Sequence, residues 1–235
     1  MRNENGSRSG LLRTAGILLV IEFAILFIPL FILGSAINWP ASLDEPAAVN
    51  LPLILENYGA MMTGYGIYLI YSLLFWPVAY FAGRAIVGSD TENTLFRLAN
   101  GFAILSVMAR CLGIVRWLFT MPILGTLYTD PSASHALKDS ISMVYEMLNS
   151  YAGGVGELLG VSLFAVIWLV LIGVLILQRT EWPNWLGYFG FVAAASLFVN
   201  LAEATGIDMG PMITISVVLL HFWMLFMGIT MLRKA

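Results

Sequence analysis

The chain has 235 residues, 60% of them hydrophobic and 11% charged, where soluble domains average about 45–50% apolar and about 25% charged. That balance excludes an ordinary soluble globule and leaves a polytopic membrane protein, with length for six spans of about 20 residues and for no separate soluble domain. The net charge of −3 decides little because the charges are sorted along the chain, and the one cysteine, Cys111, excludes an internal disulfide and any paired-cysteine metal or redox motif.

Residues 1–13 (MRNENGSRSGLLR) read as a polar, basic tail of low order. The first span covers residues 14–33 and carries Glu22 and Pro29. Gly34-Ser35-Ala36 offers a signal-peptide cleavage site as the competing reading, but the apolar run is too long for one and contains a glutamate, so a span is expected. Residues 35–59 hold Asp44, Glu45 and Glu56, no basic residue, and the breakers Pro46 and Pro52. They predict a loop with a short helix lying at the interface. The second span covers 60–83, with a kink expected at Pro77. The connection 84–97 offers Ser89, Asp90 and Thr91 as helix caps.

The third span, 98–121, contains Arg110 near its middle and Arg116 six residues on. Each arginine costs about 2.5–3.5 kcal/mol at the centre of a bilayer, so neighbouring helices must answer them or a wet cavity must receive them. Beyond Pro122, the residues Leu137, Ile141, Val144, Tyr145 and Leu148 form one helical face, and Lys138, Asp139, Ser142, Glu146 and Asn149 the other. This pattern predicts an amphipathic interfacial helix rather than a span. The fourth span, 155–177, carries Glu157 near its start. The fifth covers 185–202. The sixth covers 212–232, contains His221 and ends in Arg233-Lys234.

The basic residues set the orientation. Arg2, Arg8, Arg13, Arg84, Arg97, Arg179, Arg233 and Lys234 fall on the side of the N-terminus, and the opposite segments hold only Lys138. The excess belongs in the cytoplasm, so both termini are expected there.

Glu22, Arg110, Arg116, Glu157 and His221 are the ionisable groups within the spans, and they form the candidate polar or ligand site. Depths counted along the helices pair Arg116 with Glu157 and Arg110 with Glu22. Two meanings compete: staples that hold the bundle, or the lining of a cavity open to the outer face, where an anion or lipid headgroup enters. Arg110 and Arg116 stand about 120° apart round their helix, so they do not form one clamp. Ala152, Gly156 and Gly160 make a small-residue face suited to close helix packing. His221 is expected to bond a backbone carbonyl; bis-histidine haem ligation would need another histidine within the spans, and His135 lies in the outer loop. No cofactor, metal or nucleic acid is expected. HExxH, GxSxG and P-loop motifs are absent, and the reading is of a protein that is not an enzyme.

With Arg13-Thr14-Ala15-Gly16 at the first span and Tyr151-Ala152-Gly153-Gly154-Val155-Gly156-Glu157 at the fourth, the layout resembles a bacterial family of six-span membrane proteins of this length whose domain is of unknown function. The resemblance implies no activity, substrate or catalytic residue.

The expectation is an all-α bundle of six transmembrane helices forming one domain, with one or two interfacial amphipathic helices on the outer face. It is a multi-pass protein of the cell (inner or plasma) membrane. Its expected role is accessory or regulatory, through binding membrane lipids or another membrane protein, a second copy included. The alternative is a small-solute or anion transporter or receptor whose cavity is lined by Glu22, Arg110, Arg116 and Glu157.

Overall fold

Apolar runs of this length, with every backbone polar group needing a partner in lipid, leave helix as the available structure, and the described residues form helices with no strand among them. The structure, a computed structural model, describes residues 2–207 and 209–235, without the side chains of residues 2–7 and Pro211. Met1 of the expected tail, Asp208 of the connection before the sixth span, and the Arg2 side chain of the orientation argument lie outside what is described.

In chain order the α-helices are α1 (Arg2–Ile25), α2 (Phe27–Ile37), α3 (Ala47–Glu56), α4 (Tyr58–Val87), α5 (Thr94–Val115), α6 (Met121–Thr129), α7 (His135–Gly153), α8 (Ala165–Leu177), α9 (Asn184–Val199) and α10 (Gly210–Lys234). Two π-helical segments intervene, Arg116–Thr120 between α5 and α6 and Gly154–Phe164 between α7 and α8. Among the described residues, six helical runs are long and apolar enough to cross a membrane: Arg8–Ile37, Tyr58–Val87, Thr94–Thr129, His135–Leu177, Asn184–Thr205 and Met212–Lys234. This is the all-α, six-span class expected from composition.

Several expected boundaries move. The N-terminal tail is helical from Arg2. The helix breaks at Leu26 and resumes through Pro29, whose missing N–H removes the bond back to Ile25. The chain stays helical through Gly34-Ser35-Ala36. α4 continues through Pro77 without interruption. Asn93, rather than Ser89, Asp90 or Thr91, caps α5, its Oδ1 accepting from the Phe96 N–H at 3.2 Å. The third run does not stop at 121: Pro122 falls in the first turn of α6, where it costs little. The expected interfacial helix is likewise not separate. α7 passes through the second π segment into α8, a helical run of 43 residues, roughly 60 Å against a hydrocarbon layer of about 30 Å.

The chain forms two compact units. The first comprises Met1–Ala24, Leu73–Met108 and Leu158–Ala235. Its core is aromatic: Trp168 meets Phe75 and Trp223 edge-on, with ring centroids 4.9 and 5.7 Å apart, and Trp223 Nε1 donates to the Leu186 carbonyl at 2.8 Å. α1 and α10 approach at Gly16 and Gly228, where a Cβ on Gly16 would stand 2.9 Å from the Gly228 oxygen.

The second unit comprises Ile25–Ser72 and Ala109–Glu157. Leu33, Ile37, Leu51, Ile54, Met61, Tyr65, Trp117, Met121, Ile141 and Tyr145 are buried together. α3, the short helix expected in this segment, packs on α6 and α7 and buries Ala47, Asn50, Leu51 and Ile54. Within this core Asn50 donates to the Ser42 carbonyl at 2.7 Å and the Tyr145 hydroxyl at 2.8 Å, and that hydroxyl donates to the Glu45 carbonyl at 3.1 Å.

Candidate functional site

The site in the second unit is made by a backbone crossing. At Gly113 on α5 an added Cβ would stand 2.8 Å from the Gly156 Cα and 3.1 Å from the Ala152 oxygen. Only hydrogens fit between the two helical segments there, so the small face Ala152–Gly156 serves packing within the molecule. Gly160, the next member of that face, accepts a hydrogen bond from Ser106 Oγ at 2.7 Å within the first unit.

Three residues past Gly113, the helix opens into a π turn that begins at Arg116. Opposite it, Glu157 lies in the second π segment, one residue past Gly156. A π turn carries one residue more per loop of hydrogen bonding than an α turn, which re-aims the side chains around it, and such turns gather at functional sites. Here both members of one ion pair stand on them. Arg116 Nη2 lies 3.6 Å from Glu157 Oε1. The Arg116 side chain is 6% exposed and the Glu157 side chain 45%. Most of the pair's burial is therefore borne by the guanidinium. Its flat face covers Gly153, where a Cβ would stand 3.5 Å from Nη2. Its Cζ is 5.2 Å from the centre of the Trp117 ring, a cation–π distance. Trp117 in turn stacks on Tyr65, with centroids 5.1 Å apart and planes 2° from parallel. Arg116 Nε and the Tyr65 hydroxyl are buried and have no hydrogen-bond partner among the described residues.

The two charges lie at similar distances along their runs. Arg116 lies 22 residues beyond Thr94, the start of its run, and Glu157 lies 20 residues before Leu177, the end of its own. At about 1.5 Å per residue both stand about 30 Å from those ends, near the far edge of a hydrocarbon layer measured from there. An arginine at that edge costs far less than one at the centre. A span ending at 121 sets Arg116 roughly 8 Å from its outer end; with the helix running on to Thr129, that end lies 13 residues away.

The other expected site residues are placed as follows. Glu22 on α1 is fully buried in the first unit, and Arg110 on α5 is buried in the second. His221 on α10 is buried, and its Nδ1 donates to the Val217 carbonyl at 2.6 Å, one turn back. Among the described residues no group of three or more His, Cys, Asp or Glu side chains is arranged to hold a metal ion. Sequence reasoning missed the Asn50–Tyr145 network and the buried hydroxyl of Tyr65. The available signal for the first was an asparagine set between Pro46 and Pro52 in a stretch apolar from Ala47 to Leu55 but for it.

No curated protein and no solved structure matches the chain. A family model described as a domain of unknown function, DUF4386, matches residues 14–228. Nearly the whole helical architecture lies inside that match, the Arg116–Glu157 pair and the Gly113–Gly156 crossing included. The chain belongs to the DUF4386 family.

Proposed function

We propose that this protein is a multi-pass component of the bacterial inner membrane, with both termini in the cytoplasm, that acts by binding lipid or another membrane protein rather than by catalysis. In this reading the Arg116–Glu157 pair is a staple. The observation that carries it is the burial of the Arg116 guanidinium in the core of its unit, where a carboxylate and an aromatic face of the same chain answer it. A charge satisfied internally fixes two helices against each other; a charge meant for a ligand is left open to it. A second reading, a small-solute or anion transporter or receptor, is favoured by the half-exposure of Glu157 and by the two π turns beneath the pair.

Substitution separates the two. Breaking one half of a buried pair leaves an unanswered charge, whereas replacing both halves by apolar groups is often neutral. With Glu157 half exposed, Glu157→Gln is expected to cost about 1–3 kcal/mol, and the pair Arg116→Met with Glu157→Leu less than the sum of its single changes by about 1 kcal/mol. Thermal unfolding of the purified variants, alone and with phospholipids or small organic anions, provides the readout. A double variant that stays folded but has lost a response to small organic anions that the parent shows would favour transport or reception over the staple.

A further inference from the structure

The first unit contains a cavity of about 380 Å³ walled by Arg8, Ser9 and Leu12 of α1, Glu181 and Trp182 of the turn between α8 and α9, and Lys234 at the end of α10. Its polar side chains are mostly donors. Arg8 pairs with Glu181 at 2.6 Å while remaining 51% exposed. Lys234 donates one hydrogen to the Glu181 carbonyl at 2.7 Å, with its ammonium 5.6 Å from the centre of the Trp182 ring, and an ammonium has three hydrogens to give. Trp182 is 3% exposed, yet its indole N–H has no hydrogen-bond partner among the described residues. The Ala235 oxygen at the rim accepts from the Ser9 hydroxyl at 2.5 Å. Among the described side chains two cations face one carboxylate, and a buried N–H lacks an acceptor, which suits a small anion with several acceptor oxygens.

From this geometry we infer that the cavity binds a phosphate group, carried by an anionic membrane lipid. Its volume suits a headgroup and lies at the low end of ligand sites. Leu12 continues into the apolar run of α1, so the wall changes from polar to apolar over a single helical turn, as it does at a headgroup layer. Alternate crossings by six runs bring Arg8, Arg13, Arg84, Arg97, Arg179, Arg233 and Lys234 to one side, and basic pockets between helix ends on a positive side are where anionic headgroups settle. Arginine and lysine answer phosphate oxygens directly. The inference deepens the lipid-binding reading above and rests on it, but it uses none of the residues of the Arg116–Glu157 pair.

The test titrates the purified full chain, in neutral detergent, with short-chain phosphatidylglycerol, short-chain phosphatidylcholine and inorganic phosphate, and follows the melting temperature. Phosphatidylglycerol is expected to raise it saturably and phosphatidylcholine to leave it unchanged. Arg8→Gln with Lys234→Gln, both at exposed side chains, should retain the parent's melting temperature without lipid and bind phosphatidylglycerol about tenfold more weakly or worse. Trp182→Phe, which keeps the ring and removes the N–H, should weaken binding by a smaller factor. An undiminished response in the Arg8–Lys234 double variant, or an equal response to phosphatidylcholine, overturns the site. Inorganic phosphate matching phosphatidylglycerol at equal concentration overturns the lipid as its carrier. Glu157→Gln should keep the full phosphatidylglycerol response, so failure of this site and failure of the staple are told apart.

Discussion

At the scale of single residues, the second unit shows two solutions to burying polarity in an apolar chain. Arg116 is answered by charge and by a ring face. Asn50 is answered by hydrogen bonds: its amide ties the Ser42 carbonyl to the Tyr145 hydroxyl, and Tyr145 carries the chain on to Glu45. These bonds join α3 and the turn before it to α7, as does the Asn149 amide of α7, which donates to the Leu43 carbonyl at 2.7 Å. Removing one member of such a network leaves the rest buried and unpaired, which costs more than the bond itself contributes. Asn50→Ala is therefore expected to lose about 2–3 kcal/mol, and Tyr145→Phe less, because Asn50 keeps its bond to Ser42. Denaturant or thermal unfolding in detergent measures both. Equal losses would mean that the hydroxyl, not the amide, organises the network.

At the scale of elements, glycine decides where helices touch. The Gly113–Gly156 crossing puts backbone against backbone, and an alanine at 113 would force the two apart, at a cost of about 1–3 kcal/mol for overpacking. That loss exceeds the gain of about 1 kcal/mol that alanine brings over glycine in a helix. Gly113→Ala should lower the melting temperature, while Gly101→Ala on the same helix, where nothing stands within 4 Å of the new Cβ, should raise it or leave it unchanged. If the two behave alike, the crossing is not the constraint. Elements were legible in the sequence to the extent that their physics is local. Six runs of apolar residues declare themselves, and Glu157 could be matched to Arg116 by counting along helices. The faces of α7 could not be assigned that way. Ile141 and Tyr145 are buried, but Leu137 and Val144 of the same apolar arc are exposed, as are Met143, Met147 and Tyr151 beside it. A hydrophobic arc in a membrane protein has two apolar neighbours, the core and the acyl chains, and they attract it about equally. Proline misled for a related reason. Pro122 ends a helix only where its missing N–H is needed, and the π turn before it, in which the Met121 N–H already reaches back to Arg116, placed it in a first turn where none is.

At the scale of the whole molecule, the sorting of charge is the ground for the proposed orientation, with both termini in the cytoplasm. Eight of the nine basic residues outside the membrane-embedded stretches belong to the segments on the N-terminal side, and Lys138 alone lies opposite. Each such residue is held back by the anionic leaflet and by the potential across the membrane, worth about 2.3 kcal/mol per charge per 100 mV, so an imbalance of this size leaves little room for dual insertion. The six runs make the expectation specific, since six alternating crossings would start the first run on one side and the fourth on the other. With Cys111, the single native cysteine, replaced by serine, a cysteine can be placed at Gly10, where its Cβ meets nothing within 4 Å, or at Ala136, exposed at the start of α7. A membrane-impermeant maleimide added to intact cells whose outer face is accessible should label Ala136→Cys and spare Gly10→Cys, with the order reversed in inverted vesicles. Labelling of Gly10→Cys alone from outside would turn the chain over and move the proposed phosphate cavity to the other leaflet. Labelling of both from one side would break the alternation itself, and with it the six-crossing count on which the sorting of charge depends.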